Sequence, residues 1–180
     1  TISKILEQPG QPGQQGKLLT IIVTGDRDTL QLVDEDTHVW MPGRGKNQSD
    51  REYDTEAATE KMGVPPAQLV DLKALMGDAS DNIPGVKGVG PKTAIALIKQ
   101  FGSLDALYQA LEAGTAEQQG VKPALVAKLV AEKSQAYLSQ GLARIDCAVP
   151  LTFTLQDCTV NGYDKGTVVE LFNQYQFHSL

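Results

Sequence analysis

The spacing of apolar residues predicts two strands near the start of the chain. Residues 18–24, LLTIIVT, form a continuous apolar run rich in β-branched residues, which is typical of a parallel-sheet strand buried on both faces. Residues 37–41, THVWM, predict a second, shorter strand. Between them, TLQLV at residues 29–33 predicts a short helix, with Asp28 available as its N-cap. The polar segment 42–53 predicts a loop or a mobile hairpin.

Helical signals dominate the rest of the chain. Asp54 or Thr55 can cap a first helix that Gly63 ends, proline opens two later helices, and Ser103 can cap another. A strand or two followed by many helices indicates an α/β N-terminal part joined to a helical C-terminal part. The predicted helices cover residues 55–62, 66–76, 91–101, 104–111, 122–139 and 164–177, and a short strand is predicted near 153–155.

Two pairs of aspartates are the first candidates for chemistry. Asp26 and Asp28 directly follow the first predicted strand, and open α/β sheets gather ligands at the carboxyl ends of their strands. Residues i and i+2 of an extended backbone point the same way, so both carboxylates can face one site. Asp78 and Asp81 have a spacing that places both on one side of a helical turn. Taken singly, each aspartate is better explained as a cap, Asp28 of a helix and Asp78 or Asp81 of the turn after Met76.

The segment GVKGVGPKTA, residues 85–94, predicts a phosphate-binding loop. Glycines let the backbone approach a ligand, and the helix that starts at Pro91 offers free N–H groups and a partial positive charge. Lys87 and Lys92 add cations on the same side. A helix–loop–helix clamp of this kind would contact the nucleic-acid backbone and would not read sequence. The alternative is a tight turn between packed helices, but the D-x-x-D-N before the loop and P-K-T-A after it favour phosphate binding.

Carboxylates beside a polyanion-binding loop imply that divalent cations lie between them. Oxygen ligands with few imidazoles suit Mg²⁺ or Mn²⁺. Two such ions about 3.5–4 Å apart can bind the attacking and leaving oxygens of a phosphodiester. The formal net charge of −6 argues against a generally basic nucleic-acid coat, but it says little about one local patch.

Length and composition place few further limits on function. A chain of 180 residues can form a domain with a real core, and its longest apolar runs are shorter than a membrane span. Two cysteines are too few for a disulfide framework, so we expect a cytoplasmic protein with reduced thiols. The opening TISKILEQ is typical of the end of a helix, and QPGQPGQQG of a connector, so we expect the chain to be part of a longer one.

Two segments together carry a family resemblance. TGDRDTLQLV, at residues 24–33, and LMGDASDNIPGVKGVGPKTAIALIKQFGSLDALY, at residues 75–108, resemble the 5′-nuclease (flap endonuclease and 5′→3′ exonuclease) domain of bacterial DNA polymerase I. The likeness runs from about residue 17 to the end and is weakest at 42–53 and 114–121. It implies a metal-dependent, structure-specific nuclease that removes 5′ flaps and RNA primers in replication and repair. It also implies a PIN-like parallel-sheet core joined to a helix–three-turn–helix DNA-binding region.

The resemblance also implies roles for particular residues and segments. Asp26, Asp28, Asp78 and Asp81 would be the catalytic, metal-binding acids. Residues 1–62 would be the remnant of the α/β core and residues 63–180 the helical region, with a helix–hairpin–helix motif at about 66–113. The resemblance also implies a K⁺ ion held by backbone carbonyls near two residues of the turn, Val86 and Val89. The DNA-binding residues by motif match are Gly85, Val86, Lys87, Gly88, Val89, Gly90, Lys92 and Thr93.

The departures from the family matter as much as the match. In this family further acidic ligands and the flap-threading residues come from earlier segments, so the chain resembles the C-terminal half of the domain. We therefore expect it to bind duplex DNA, to hold divalent ions weakly, to lack activity alone and to expose an edge of its sheet. The expected partners are 5′-flap or nicked DNA, an RNA primer–DNA hybrid and a polymerase domain of the same parent chain. A non-catalytic helix–hairpin–helix module and a purely structural helical domain are the alternatives.

Overall fold

The computed structural model describes residues 19–43, 49–152, 154, 158–159 and 162–177. The predicted helix end and connector at the N-terminus lie outside the described residues, as does most of the predicted strand near 153–155. The described residues fall into two compact units, one within residues 12–147 and one within residues 148–180. No helix in the described ranges is long and apolar enough to cross a membrane.

A three-stranded sheet lies in the first unit, in the order β1-β2-β3. The strands are β1 (Thr20–Val23), β2 (Thr37–Met41) and β3 (Arg51–Tyr53). β1 pairs with β2 in parallel, with Thr20 opposite Thr37. β2 pairs with β3 antiparallel, with Val39 opposite Tyr53. Of the two structures predicted for residues 42–53, a loop or a mobile hairpin, the antiparallel pairing of β2 with β3 agrees with the hairpin. Tyr53 is buried and gives the short strand β3 a core contact.

β1 is buried on one face only, so the prediction of a strand buried on both faces is wrong. Ile21 is 47% exposed and Val23 67% exposed, whereas Ile22 packs on the core. The physical reason is position: in the described part of the chain β1 pairs only with β2, which leaves it at the edge of the sheet. The apolar sequence of β1 shows only that both of its faces are suited to burial, whereas the order of the strands determines which face is buried. Among the described residues, β1 pairs with no strand on its other side, which is the edge that we expected to be exposed.

The predicted short helix after β1 is a 3₁₀ helix at Arg27–Leu32, and its N-cap is Asp26 rather than Asp28. The Asp26 carboxylate accepts a hydrogen bond from the Asp28 amide at 2.9 Å. Asp26 is the last extended residue, so the extended geometry expected for both aspartates ends there. Leu30 is fully buried and anchors this turn in the core.

Six α-helices complete the described part of the first unit, and a seventh lies in the second. Asp54 caps the first and Ser103 the fourth, and both of these expectations are confirmed. The mixed α/β class is also confirmed. The helices are α1 (Thr55–Met62), α2 (Leu69–Met76, after a 3₁₀ turn at Pro66–Gln68), α3 (Pro91–Phe101), α4 (Leu104–Glu112), α5 (Pro123–Ala131), α6 (Lys133–Ala143) and α7 (Lys165–Gln174).

Two predicted helix boundaries are wrong. The single helix expected at 122–139 is two helices, because Glu132 leaves the helical region at φ −102° and ψ 16°. The apolar spacing cannot show this break, because the Glu132 amide still bonds to Lys128 and its carbonyl to Ala136. The last helix ends at Gln174 rather than at residue 177. Just beyond its end, Gln176 adopts a positive φ of 58°.

Helix α2 lies at the centre of the first unit. It packs against α3, α4 and α6, and Leu72, Ala74 and Leu75 are all buried. Because α2 is surrounded, a polar side chain on it must find a partner inside the protein. Lys73, at 4% exposed, is such a side chain.

Candidate metal centre and phosphate-binding loop

The structure brings together three of the four aspartates predicted to bind metal. Asp28, Asp78 and Asp81 each offer a carboxylate oxygen, and these oxygens lie within 4.8 Å of one another. Asp28 comes from the 3₁₀ helix after β1, and the other two come from the loop after α2. Asp26 is not part of this group, because its carboxylate turns back onto the amide of Asp28. We call Asp28, Asp78 and Asp81 the acid cluster.

The loop after α2 is folded so that it returns two acids to one place. Gly77 ends the helix at φ 72° and ψ 179°, a conformation open essentially to glycine alone. Asp78 and Ile83 then exchange two backbone hydrogen bonds, each of 2.8 Å. Asn82 completes the turn with a positive φ of 56°, which asparagine tolerates better than most residues. The closed loop holds Asp78 beside α2 and leaves Asp81 exposed at its rim.

Lys73 is a central residue of this site that sequence reasoning missed. Its ammonium contacts Asp28 and lies 2.8 Å from Asp78 Oδ2. A lysine in an amphipathic helix is normally expected to be exposed to solvent, whereas Lys73 is buried by the packing of α2. The one sequence signal is its setting, LVDLKALM, in which Lys73 is the only cation of an otherwise largely apolar helix.

The electrostatics of the acid cluster leave an excess of negative charge. Burial would lower the pKa of Lys73, but its hydrogen bonds to Asp28 and Asp78 raise that pKa above the usual value. Lys73 and Ser80 hold the pKa of Asp78 down at about 2. Partial desolvation and the charges of Asp28 and Asp78 raise the pKa of Asp81. Three carboxylates and one ammonium carry a formal charge of −2, which a single divalent cation would balance.

The predicted phosphate-binding loop divides into an anchored part and an exposed part. Gly85 is buried at φ 63° and donates its N–H to Ser139 Oγ of α6 at 3.0 Å. The Val86 N–H donates a hydrogen bond of 2.8 Å to the Leu75 carbonyl, and the Val89 N–H donates one of 3.0 Å to the Val86 carbonyl. Both valine side chains are buried. Of the predicted DNA-binding residues, Gly85, Val86 and Val89 therefore shape the loop, and their side-chain positions face the protein.

The remaining predicted DNA-binding residues lie at the surface. Lys87, Gly88, Gly90 and Lys92 are exposed, and Thr93 is half-buried. No side chain caps α3, so its first N–H groups have no side-chain partner. Gly90 has a φ of −91°, so its backbone conformation does not require glycine. A Cβ atom there would meet nothing within 4 Å, and the absence of a side chain leaves the helix end uncovered. The N-terminus of α3, with Lys92 in its first turn, is a favourable position for a phosphate.

Helix α6 ties the acid cluster to the rest of the unit. Gln31, three residues after Asp28, donates to the Ala143 carbonyl at 3.0 Å and accepts from the Ile145 amide at 2.9 Å. Gln140 donates to Asp71 of α2 at 2.6 Å. Together with the Ser139 contact, these bonds fix both segments that carry acids against one helix.

The family comparison matches the helical part of the chain. Residues 64–166, more than half of the sequence, match the model of the family described as 5′-3′ exonuclease, C-terminal SAM fold. The matched range contains Lys73, Asp78, Asp81 and the whole phosphate-binding loop. Asp28 lies before it.

Sequence relatives extend the match across most of the chain. DNA polymerase I of Lactococcus lactis subsp. lactis (strain IL1403) is 40% identical over 156 residues, which cover 87% of this chain and 17% of that protein. DNA polymerase I of Chloroflexus aurantiacus (strain ATCC 29366 / DSM 635 / J-10-fl) is 42% identical over 162 residues, covering 88% and 16%. The chain therefore spans less than a fifth of the length of these relatives.

Solved structures share the fold of the described chain. A T5 5′-exonuclease with bound zinc ions superposes with a TM-score of 0.57 at 25% identity and covers 69% of this chain and 42% of that one. A T5 D15 flap endonuclease in complex with DNA and metal ions gives a TM-score of 0.57 at 24% identity over the same shares. The described sheet and helices thus share their fold with these two solved structures over 69% of this chain.

Proposed function

Since the chain belongs to the 5′-3′ exonuclease family with the C-terminal SAM fold, we propose that it forms part of a metal-dependent 5′→3′ exonuclease and flap endonuclease of the DNA polymerase I type. The convergence of Asp28, Asp78 and Asp81 beside a glycine-lined loop carries the proposal. The proposed substrates are 5′-flap or nicked duplex DNA and RNA primer–DNA hybrids. The proposed setting is a parent chain with a polymerase domain, acting in the bacterial cytoplasm, where the DNA is.

The acid cluster fits one hard divalent cation. Mg²⁺ and Mn²⁺ prefer carboxylate oxygens, and Mg²⁺ is usually held by only one or two carboxylates while it keeps several waters. A single divalent cation would balance the formal charge of −2, and desolvation together with the charges of Asp28 and Asp78 raises the pKa of Asp81. A bound divalent ion supplies Lewis-acid stabilisation of negative charge at a phosphodiester. We propose Asp28, Asp78 and Asp81 as its ligands, and Asp26 as the residue that fixes the position of Asp28.

The protein's own residues then hold the nucleic acid. The exposed ammonium groups of Lys87 and Lys92 and the free amides of α3 bind phosphates, which neutralises the backbone without reading its sequence. Val86 and Val89 keep the turn against the core, and their carbonyls are the proposed K⁺ ligands. Binding in KCl compared with NaCl tests the K⁺ assignment.

A metal-binding measurement tests the acid cluster. Titrating Mn²⁺ into the chain and following free Mn²⁺ by electron paramagnetic resonance should show one weak site. Replacing Asp81 with asparagine removes one of three ligand charges at an exposed position, so we expect roughly tenfold weaker binding with an unchanged fold. Glu117→Gln, which removes an exposed acid outside the cluster, is the matched control. Equal Mn²⁺ binding by Asp81→Asn and wild type would refute the site.

A cleavage assay tests the activity. With Mg²⁺ or Mn²⁺ and a labelled 5′-flap duplex, we expect the 180-residue chain to cleave poorly, because the described residues bring together ligands for one ion and phosphodiester hydrolysis of this type uses two. Robust cleavage by the isolated chain would contradict this. In the parent protein, Asp81→Asn should abolish cleavage while leaving duplex binding in place.

The contact between Lys73 and two of the acids favours one alternative, a non-catalytic DNA-binding module. In that case the ammonium would be a permanent counter-ion of a structural cluster. The parent variant decides between the two: undiminished flap cleavage by Asp81→Asn would favour the module.

Duplex binding tests the phosphate-binding loop. The double variant Lys87→Ala/Lys92→Ala should flatten the slope of log affinity against log salt concentration by about two units, because each phosphate contact contributes about 0.9. Lys61→Ala/Lys165→Ala removes the same charge from residues outside the loop and is the matched control. Identical slopes for both double variants would show that the loop is a turn between packed helices and nothing more.

A further inference from the structure

A lysine from a distant helix lies over the glycine turn of the phosphate-binding loop. Gly88 has a positive φ of 82°, and a methyl group added to it would lie 3.0 Å from Lys128 Nζ and 3.9 Å from Lys128 Cε. Lys128 belongs to α5, which is separated from the loop by α3 and α4. The ammonium therefore occupies the surface beside the one exposed glycine of the loop that needs a left-handed conformation.

The position of Lys128 is fixed by its neighbour in the sequence. Leu129 is fully buried, and its carbonyl accepts a hydrogen bond of 3.1 Å from the hydroxyl of Tyr108 on α4. Burial raises the pKa of Tyr108 to about 12, so the hydroxyl stays protonated and able to donate. These contacts hold the C-terminal part of α5 against the helical core, with Lys128 turned outward.

The Lys128 ammonium is available to a ligand. Its side chain is exposed and makes no ion pair or hydrogen bond with any residue that the structure describes. In contrast, Lys133, one turn further along the chain, pairs with Glu112. A free ammonium beside a side-chain-free stretch of backbone offers three donors and a point charge to an approaching anion.

We infer that Lys128 is a third phosphate-binding cation of the loop, acting together with Lys87 and Lys92 on the sugar–phosphate backbone of duplex DNA. The inference rests on the proposed function and extends the binding surface from α3 to α5. Lys87 adjoins Gly88 in sequence and the Lys128 ammonium lies beside it, so two lysines from different segments neighbour the same glycine. The role of the glycine follows: without a side chain at residue 88, a phosphate can reach both cations.

Duplex binding by Lys128→Ala across a salt series tests the inference. Loss of one phosphate contact should flatten the salt slope by about 0.9, so affinity should be roughly five- to tenfold weaker at about 0.1 M salt and nearly unchanged near 1 M. Thermal stability should stay at the wild-type value, because the removed side chain is exposed and unpaired. Lys128→Arg, which keeps the charge, should bind as the wild type does.

Controls separate this inference from the proposed function. Lys61→Ala removes an exposed lysine of α1 and should leave the slope unchanged. A Lys128→Ala slope equal to that of the wild type, with a flattened slope for Lys87→Ala, would overturn the role of Lys128 and leave the loop intact. Absence of duplex binding by the wild-type chain would overturn both.

Discussion

Replacing Gly85 with alanine is expected to lower the free energy of unfolding by about 3–5 kcal/mol, because two separate costs add at one residue. Gly85 has a φ of 63°, a conformation that costs an ordinary residue about 1–2 kcal/mol. The added methyl would also lie 2.3 Å from the Gly77 nitrogen and 2.7 Å from the Gly77 Cα. These are backbone atoms, so no side chain can move aside. Chemical denaturation followed by circular dichroism measures the loss.

Gly114→Ala is the matched control for Gly85→Ala. Gly114 has a φ of 69°, and a methyl group there would meet nothing within 4 Å. It therefore carries the conformational cost alone, and we expect about 1–2 kcal/mol. A Gly85→Ala variant no less stable than Gly114→Ala would show that the contact between Gly77 and Gly85 can relax, and that the loop is not fixed to the end of α2.

Replacing Lys73 with methionine is expected to lower the free energy of unfolding by about 2–4 kcal/mol in the absence of divalent ions. Removing one partner of a buried ion pair leaves the other charge uncompensated, which typically costs about 3–5 kcal/mol. Asp28 and Asp78 are each about one-fifth exposed, so water offsets part of that loss. Millimolar Mg²⁺ or Mn²⁺ should restore more stability to Lys73→Met than to wild type, because the cation replaces the missing charge. Thermal unfolding with and without metal measures both effects.

Lys133→Met is the matched control for Lys73→Met. It removes the lysine of an exposed pair with Glu112, and such pairs contribute about 0–1 kcal/mol. Divalent ions should not restore its stability. Equal metal-induced shifts in melting temperature for the two variants would mean that Lys73 is not the counter-ion of the acid cluster.

The features that the sequence predicted well are those set by neighbouring residues. The start of α3 at Pro91, the caps Asp54 and Ser103 and the end of α1 at Gly63 all depend on groups a few residues apart. Motif types and the resemblance predicted that all four aspartates converge; Asp28, Asp78 and Asp81 do lie together, whereas Asp26 caps the 3₁₀ helix.

The features that the sequence did not predict depend on packing between distant segments. Lys73 is buried because α3, α4 and α6 surround α2, and nothing in its own helix requires this. Asp26 and Asp28 lie in different surroundings because a 3₁₀ helix begins between them. In the sequence Lys128 looks like any solvated lysine, and only the folded structure brings it beside the loop.

The attachment of the whole loop to the end of α2 has a consequence for where a strand would be cut. Val86 bonds to the Leu75 carbonyl, and the Asp78 carboxylate is held by Lys73 of the same helix. The proposed phosphate-binding loop and Asp78, one of the proposed metal ligands, are therefore attached to the same short helix. In the proposed function, this common attachment implies a constant number of nucleotides between the bound phosphate and the cleaved bond, whatever the base sequence.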